Sequence, residues 1–348
     1  MMEKYFYELA LAARRLAVDM LCLKSGETLV ITADTESDMA VVRAAASAAF
    51  SVGAKPVVIT YPAPRGVGKA ADPMLAVETL TGALQGADAW VEFNNQWMLY
   101  STPFERAMAS NKKLRYLCLV GMDVDMMIRL IGRVDQQKLS AFLHALADKT
   151  GAAKNMRITT PAGGDLEFEI NRENKLSCDD GRAGEPGMYM LGGQICFVPK
   201  LASINGILVF EASISPVPGI IREKVVLTIE QGRIREIQGG AEAMAFKAWL
   251  DSFHDPAMYR LAHGCYGVNP GAKITGNVLE DERAWGATEW GIGYLSENDA
   301  PREHFDAPSH CDGLCMNSSV WLDGEQIMDR GKFIEPHLKD MAQALGRE

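Results

Sequence analysis

Four short apolar runs, Leu29-Val-Ile-Thr, Pro56-Val-Val-Ile-Thr, Ala89-Trp-Val-Glu-Phe and Arg115-Tyr-Leu-Cys-Leu-Val, punctuate the first 150 residues. Between them the apolar positions shift to helical spacing, as in Tyr5 to Cys22 and in Ser37 to Phe50 behind an Asp/Thr/Ser capping cluster. Apolar strands that alternate with helices belong to a parallel sheet with helices on its faces. From Arg157 the texture changes. Leu166-Glu-Phe-Glu-Ile alternates like a half-exposed strand, and Ile207-Leu-Val-Phe reads as a buried one. Val225-Val-Leu-Thr-Ile, Gln231-Gly232 and Ile234-Arg-Glu-Ile form a hairpin pattern, Ala241 to Phe253 is an amphipathic helix, and the segments beyond are short and glycine-punctuated. The expected fold class is α/β: an N-terminal α/β domain with a parallel sheet (1–150), then a β-rich α+β domain (151–348), with the boundary near Lys149 to Lys154. A chain of 348 residues ordinarily divides its core in this way.

Composition narrows the function classes. The net charge of −10 and the absence of a basic run with interleaved aromatics speak against nucleic acid and anionic membranes as partners. The N-terminus, Met-Met-Glu-Lys-Tyr-Phe-Tyr-Glu, lacks the charged and apolar regions of a secretory signal, and no apolar stretch approaches the roughly 20 residues of a membrane span. Seven scattered cysteines, an odd number, suit reduced thiols in the cytoplasm better than a disulfide framework. Gly66-Val-Gly-Lys lacks both the dinucleotide fingerprint and the Gly-Lys-Ser/Thr ending, so a surface loop is expected there.

Ser-His-Cys-Asp-Gly carries His310 and Asp312 two residues apart, and His263 lies in Leu-Ala-His-Gly-Cys-Tyr-Gly. In an extended strand the first and third residues of His-x-Asp face the same way and Cys311 the other. Two imidazoles and one carboxylate can hold Fe(II) by one face, leaving positions for substrate and O2. Spacing alone leaves open a hydrogen-bonded loop histidine and a turn-forming aspartate before Gly313. Cys265, Cys311 and Cys315 adjoin these residues, but no Cys-x-x-Cys spacing supports a structural zinc site. His144, on a helix at Phe142-Leu-His-Ala-Leu, suits a core or core-boundary position, His254 a helix end, and His304, close in sequence to His310, is an outside candidate for approaching substrate.

Ile158-Thr-Thr-Pro-Ala-Gly-Gly-Asp-Leu, Glu185-Pro-Gly, the Val225 to Gly240 hairpin and Gly267-Val-Asn-Pro-Gly-Ala together resemble the aminopeptidase T family of metallopeptidases over most of residues 110–330. That resemblance implies an α/β N-terminal domain and a β-rich domain with a two-metal site. The chain departs from the peptidase pattern at the metal-binding positions. Gln194 stands for one family glutamate, His263 for a second, and Glu289 for a histidine; only His310 and Asp312 persist. The altered set resembles the Fe(II)-dependent 2,5-dihydroxypyridine 5,6-dioxygenase family, which implies one metal held by His263, His310 and Asp312. It also implies histidines in the segments matching Trp97–Ser101 and Met188–Leu191, where this chain offers Tyr100 and Tyr189.

The expected activity is therefore ring cleavage of a hydroxylated aromatic or N-heteroaromatic small molecule by O2, with Fe(II) as cofactor, in a cytoplasmic homo-oligomer. Glu185 is the candidate base or substrate-orienting group, and Glu289 a partner of a ligand histidine or a fourth ligand. Two alternatives remain: a Zn(II) hydrolase using the same triad with Glu289 or Glu185 as base, and a non-catalytic small-ligand binder.

Overall fold

The computed structural model describes residues 5–348; Met1–Lys4, the start of the N-terminus discussed above, lie outside the described residues. The chain forms two compact units, one of residues up to Gln136 with Asp179–Gly192, the other of Gln137–Cys178 with Gly193–Glu348. No helix among the described residues is long and apolar enough to cross a membrane.

In the first unit the four predicted strands become Thr28–Asp34, Lys55–Tyr61, Ala89–Glu92 and Arg115–Cys118, and a fifth, Gly187–Met190, joins them. All neighbouring pairs are parallel. The inner strands are buried but for the half-buried Thr28, whereas Lys55–Tyr61 is an edge strand that exposes Val57 and Val58 despite its apolar sequence. Helix Met39–Ser51 starts where Asp38 accepts from the Ala40 amide, as the capping cluster predicted. Phe6–Arg15 is α-helical and runs into a π-helical turn, Leu16–Met20. At the carboxyl ends of the strands, Asp34 accepts from the Asn95 and Gln96 amides at 2.8 Å each, and buried Glu92 accepts from the Met98 amide and the Tyr116 hydroxyl. These two acids anchor the loop leading to Tyr100. Gly66-Val-Gly-Lys opens a 3-10 turn, Gly68–Met74, in keeping with a structural loop.

The second unit contains an eight-stranded and a seven-stranded sheet, and their neighbouring strands pair antiparallel. Phe168 of the larger sheet meets Phe197 and Trp290 of the smaller at centroid distances of 5.9 and 5.3 Å, so aromatic rings fill the space between the sheets. The predicted hairpin is present as Val225–Glu230 and Arg233–Gln238, and the predicted helix as Ala241–Asp251. Ala287–Leu295 and Phe305–Cys315 are much longer strands than the glycine punctuation suggested.

The division expected at 150/151 differs from these units for two physical reasons. Helix Gln136–Ala152 stacks Phe142 on Trp285 at 5.4 Å and sets it edge-on to Phe333, which commits it to the second unit. Strand Gly187–Met190 finds its backbone partners on Arg115–Cys118 and carries its segment back to the first.

Candidate metal centre

Three neighbouring strands of the seven-stranded sheet, Leu261–Gly267, Ala287–Leu295 and Phe305–Cys315, build the centre. Their register sets His263 opposite Gly291 and Gly291 opposite Asp312, a row running across all three. Residues opposite one another in such a row share a face, as do residues two apart on one strand. His310 therefore joins Asp312 on that face, Cys265 joins His263, and Glu289 lies opposite Cys265. The adjacent strand Gln194–Phe197 adds Cys196 opposite Cys265 and Gln194 opposite Gly267. Cys311 points the other way and is buried, as alternation predicted. Gly291 makes room: a Cβ there would lie 2.4 Å from the His263 Cε1.

The donor atoms of His263, His310 and Asp312 lie within 4.8 Å of one another. The two imidazoles stack with centroids 5.1 Å apart at 18°. His310 Nδ1 lies 2.8 Å from the Tyr294 carbonyl, an acceptor only, so Nδ1 carries the proton and donates it. That leaves the Nε2 lone pair of neutral His310 facing Asp312 Oδ1 at 2.9 Å. His263 Nε2 lies 3.6 Å from the same oxygen and 3.3 Å from Glu289 Oε1. Lone pairs pressed this closely need a cation among them, either a proton or a metal ion. The donor set thus fits a divalent metal held by two nitrogens and an oxygen, with His310 oriented through its other nitrogen.

The surrounding carboxylates differ in charge state. Burial works against ionisation of Asp312, but the neighbouring His310 and His263 outweigh it and bring the acid down to about 2. Burial also opposes a charged His310, and the Asp312 carboxylate overcomes it to raise this imidazole. Burial pushes Glu289 well above the ordinary carboxylate range, and Asp312 adds repulsion. Glu282, which the sequence reading missed, is pushed up to about 8 by burial and by repulsion from Asp312 and Glu289. Its Oε2 accepts from Gln194 Nε2 at 3.3 Å. Only its place in the acidic run Glu280-Asp-Glu could have flagged it. Asp312 is thus the carboxylate that its surroundings keep ionised, whereas burial favours the neutral form of Glu289 and, against the Arg283 guanidinium 3.3 Å from its Oε2, of Glu282.

Glu289 is 1% exposed, and its carboxyl lies against Asp312 and 3.3 Å from His263 Nε2, where it can serve a ligand histidine or a cation. The other expected residues belong to the first unit. Glu185 is exposed in the loop before Gly187–Met190, Tyr189 is half-buried on that strand, and Tyr100 is exposed at positive φ. Burial raises the Tyr189 phenol further from neutrality, with the Glu185 charge adding to the effect. His144 is exposed on its helix, 3.8 Å from the Cys178 thiol, and His254 follows a helix end at positive φ.

The cysteine reading needs correction. Cys196 and Cys265 form a disulfide, because their strands are hydrogen-bonded neighbours and the two residues stand directly opposite with Cα atoms 4.1 Å apart. Their separation of 69 residues concealed this in the sequence. The other five cysteines stand outside any disulfide.

A family profile described as 2,5-dihydroxypyridine 5,6-dioxygenase matches residues 11–335. The chain belongs to that family. Membership makes it an oxidoreductase of the dioxygenase type, and with the donor cluster it implies a metal cofactor. A 2,5-dihydroxypyridine 5,6-dioxygenase of Pseudomonas putida is 26% identical over 322 residues, covering 86% of this chain and 89% of the relative. The structure of 2,5-dihydroxypyridine dioxygenase from Pseudomonas putida KT2440 superposes with a TM-score of 0.78 at 21% identity, over 95% of this chain and 98% of that one. Wild-type AmpT from Thermus thermophilus follows at 0.69 and 16%, over 95% and 100%. Both share the fold, in agreement with the scaffold inferred from sequence.

Proposed function

We propose that this family member is a mononuclear, non-heme Fe(II) enzyme that cleaves the ring of a hydroxylated N-heteroaromatic or catechol-like substrate, with His263, His310 and Asp312 as the ligands. The observation that carries the proposal is the convergence of the two imidazole Nε2 atoms on the Asp312 carboxylate, across a row kept open by Gly291. The name of the family supports the reaction class and an aromatic nitrogen ring as substrate. Bound Fe(II) would supply electrons toward O2 and a positive charge that acidifies a chelating hydroxyl. The chain's own groups do the remainder. Tyr294's carbonyl keeps the His310 proton on Nδ1, burial disfavours added negative charge on Glu289 and Glu282, and Gln194 and Arg283 together hold Glu282. Glu185 is assigned as the base for the substrate hydroxyl, since the phenols of Tyr100 and Tyr189 are weak bases at neutral pH.

Anaerobically purified protein should contain one equivalent of iron, and Asp312→Ala should lose it while staying folded. O2 uptake on a panel of hydroxylated pyridines and catechols should depend on that iron. Two metal equivalents, or amide hydrolysis by Zn(II)-loaded protein unaffected by removing O2, would reject the assignment. Glu185→Gln should lower turnover by roughly 10²–10⁴ with unchanged iron, the usual loss for a general base. Because tyrosines occupy the two segments where histidines were expected, 2,5-dihydroxypyridine should be turned over poorly. Its efficient cleavage, undiminished in Glu185→Gln, would overturn both the selectivity and the base. The reading includes a cytoplasmic setting and homo-oligomeric assembly, to be checked by cell fractionation and light scattering.

A further inference from the structure

A cleft of about 430 Å³ in the second unit is lined by Arg233, Arg260, Arg302, Glu303 and His304, among others. Arg233 and Arg260 are cross-strand neighbours in an antiparallel bridge, which brings two guanidinium groups to one wall. The remaining charges of the cleft are already engaged. Arg302 is held by Glu173 at 2.7 Å. Glu303 accepts from Asn171 and Asn174 at 2.8 Å each through Oε2, and from the Leu201 amide at 3.2 Å through Oε1. His304 Nδ1 is 3.2 Å from the Pro301 carbonyl. Among the described residues, the side chains of Arg233 and Arg260 have neither an ion pair nor a hydrogen bond.

Arg260 is half-buried, with its guanidinium carbon 3.6 Å from the Phe305 ring centroid. The ring fixes the plane of the fork and strips water from one face, leaving the N–H edges to be satisfied. Burial and the charge of Arg233 disfavour the protonated form of Arg260 by more than the Glu303 carboxylate favours it. Two like charges held side by side, in a chain whose net charge is −10, are stabilised when an anion bridges them. Two guanidinium groups with no ion pair of their own offer donors for two negative oxygens.

We infer that this cleft binds a small dianionic oxyanion, a phosphate group or a dicarboxylate, clamped between Arg233 and Arg260. The inference is independent of the metal-centre reading. It gives a place to His304, on the rim of the cleft, that the proposed chemistry did not use.

The test is calorimetric titration of the full-length, metal-containing protein with inorganic phosphate, succinate and acetate at ionic strength matched with sodium chloride. Phosphate or succinate should bind saturably, at least tenfold more tightly than acetate, and the tighter of the two identifies the ligand class. Arg260→Gln and Arg233→Gln should each weaken that binding at least tenfold. Arg233 is exposed, so its variant tests the site without disturbing the core. Binding no tighter than acetate would overturn the inference. So would an affinity unchanged in either variant, which would locate the anion elsewhere, the metal centre included.

Discussion

Gly291 acts through what it lacks. It separates His263 from Asp312 in the cross-strand row, and a Cβ there would press on three atoms of the His263 ring at 2.4 to 2.7 Å. An alanine must push the imidazole aside, and the ring can yield because the atoms in the way belong to a side chain rather than to backbone. Gly291→Ala should therefore cut metal affinity at least tenfold through misplacement of one ligand, with the melting temperature nearly unchanged. Metal titration beside thermal unfolding checks this, and full metal affinity in the variant would show that the row tolerates a side chain. At this scale the sequence was unevenly legible. The His310-x-Asp312 spacing carries its own geometric meaning, because alternation on a strand is a local rule. His263 could be paired with it only through a family resemblance, since cross-strand register is a long-range property. Gly291 gave no signal and Glu282 only its place in the acidic run Glu280-Asp-Glu, because neither a spared volume nor an acid shifted by burial has a residue pattern of its own.

Register is the property that turns three strands into a centre. A shift of one residue in Leu261–Gly267 would send His263 into the aromatic layer and Tyr266 onto the polar face. The Cys196–Cys265 bridge lies two residues from His263 on that strand and ties it to Gln194–Phe197. Closing a loop of 69 residues should contribute ~4 kcal/mol by restricting the unfolded chain. A phosphine reductant should accordingly lower the melting temperature of the native protein, and Cys265→Ser should reproduce the drop and respond no further to reductant. Equal melting temperatures with and without reductant would mean that pairing of the two strands alone sets the register. Short strands and hairpins were legible as elements because their alternation and turn residues are local. Ala287–Leu295 and Phe305–Cys315 were not, because their glycines serve as points of close approach within long strands: a Cβ at Gly313 would strike the Phe210 ring. In isolation such glycines look like turns.

At the scale of the whole chain, the sequence conveys two units but not their discontinuous boundaries. Hydrophobic texture marks which segments are strands, but not that Gly187–Met190 completes a sheet begun at Thr28. Stability of the whole molecule against pH then depends on acids buried for architecture as well as for chemistry. Glu92 is fully buried in the first unit, and burial pushes it up to about 7 even though it accepts from Tyr116 and the Met98 amide. An acid raised on folding holds its proton more tightly in the native than in the unfolded chain. Its contribution is thus complete below an unfolded value near 4.5 and is lost as pH climbs through about 7. The loss should approach the order of 3 kcal/mol by pH 8. Glu92→Gln keeps one acceptor oxygen for the Met98 amide, presents its NH2 to the Tyr116 hydroxyl, which can turn to accept, and removes the titration. The variant should therefore gain stability relative to the native protein as pH rises from 5 to 8, in denaturant unfolding at each pH. Taking the difference between the two proteins cancels the other titrating groups. A stability difference constant across that range would mean that the loop anchored at Glu92 opens to water and that its carboxyl titrates as an ordinary surface acid.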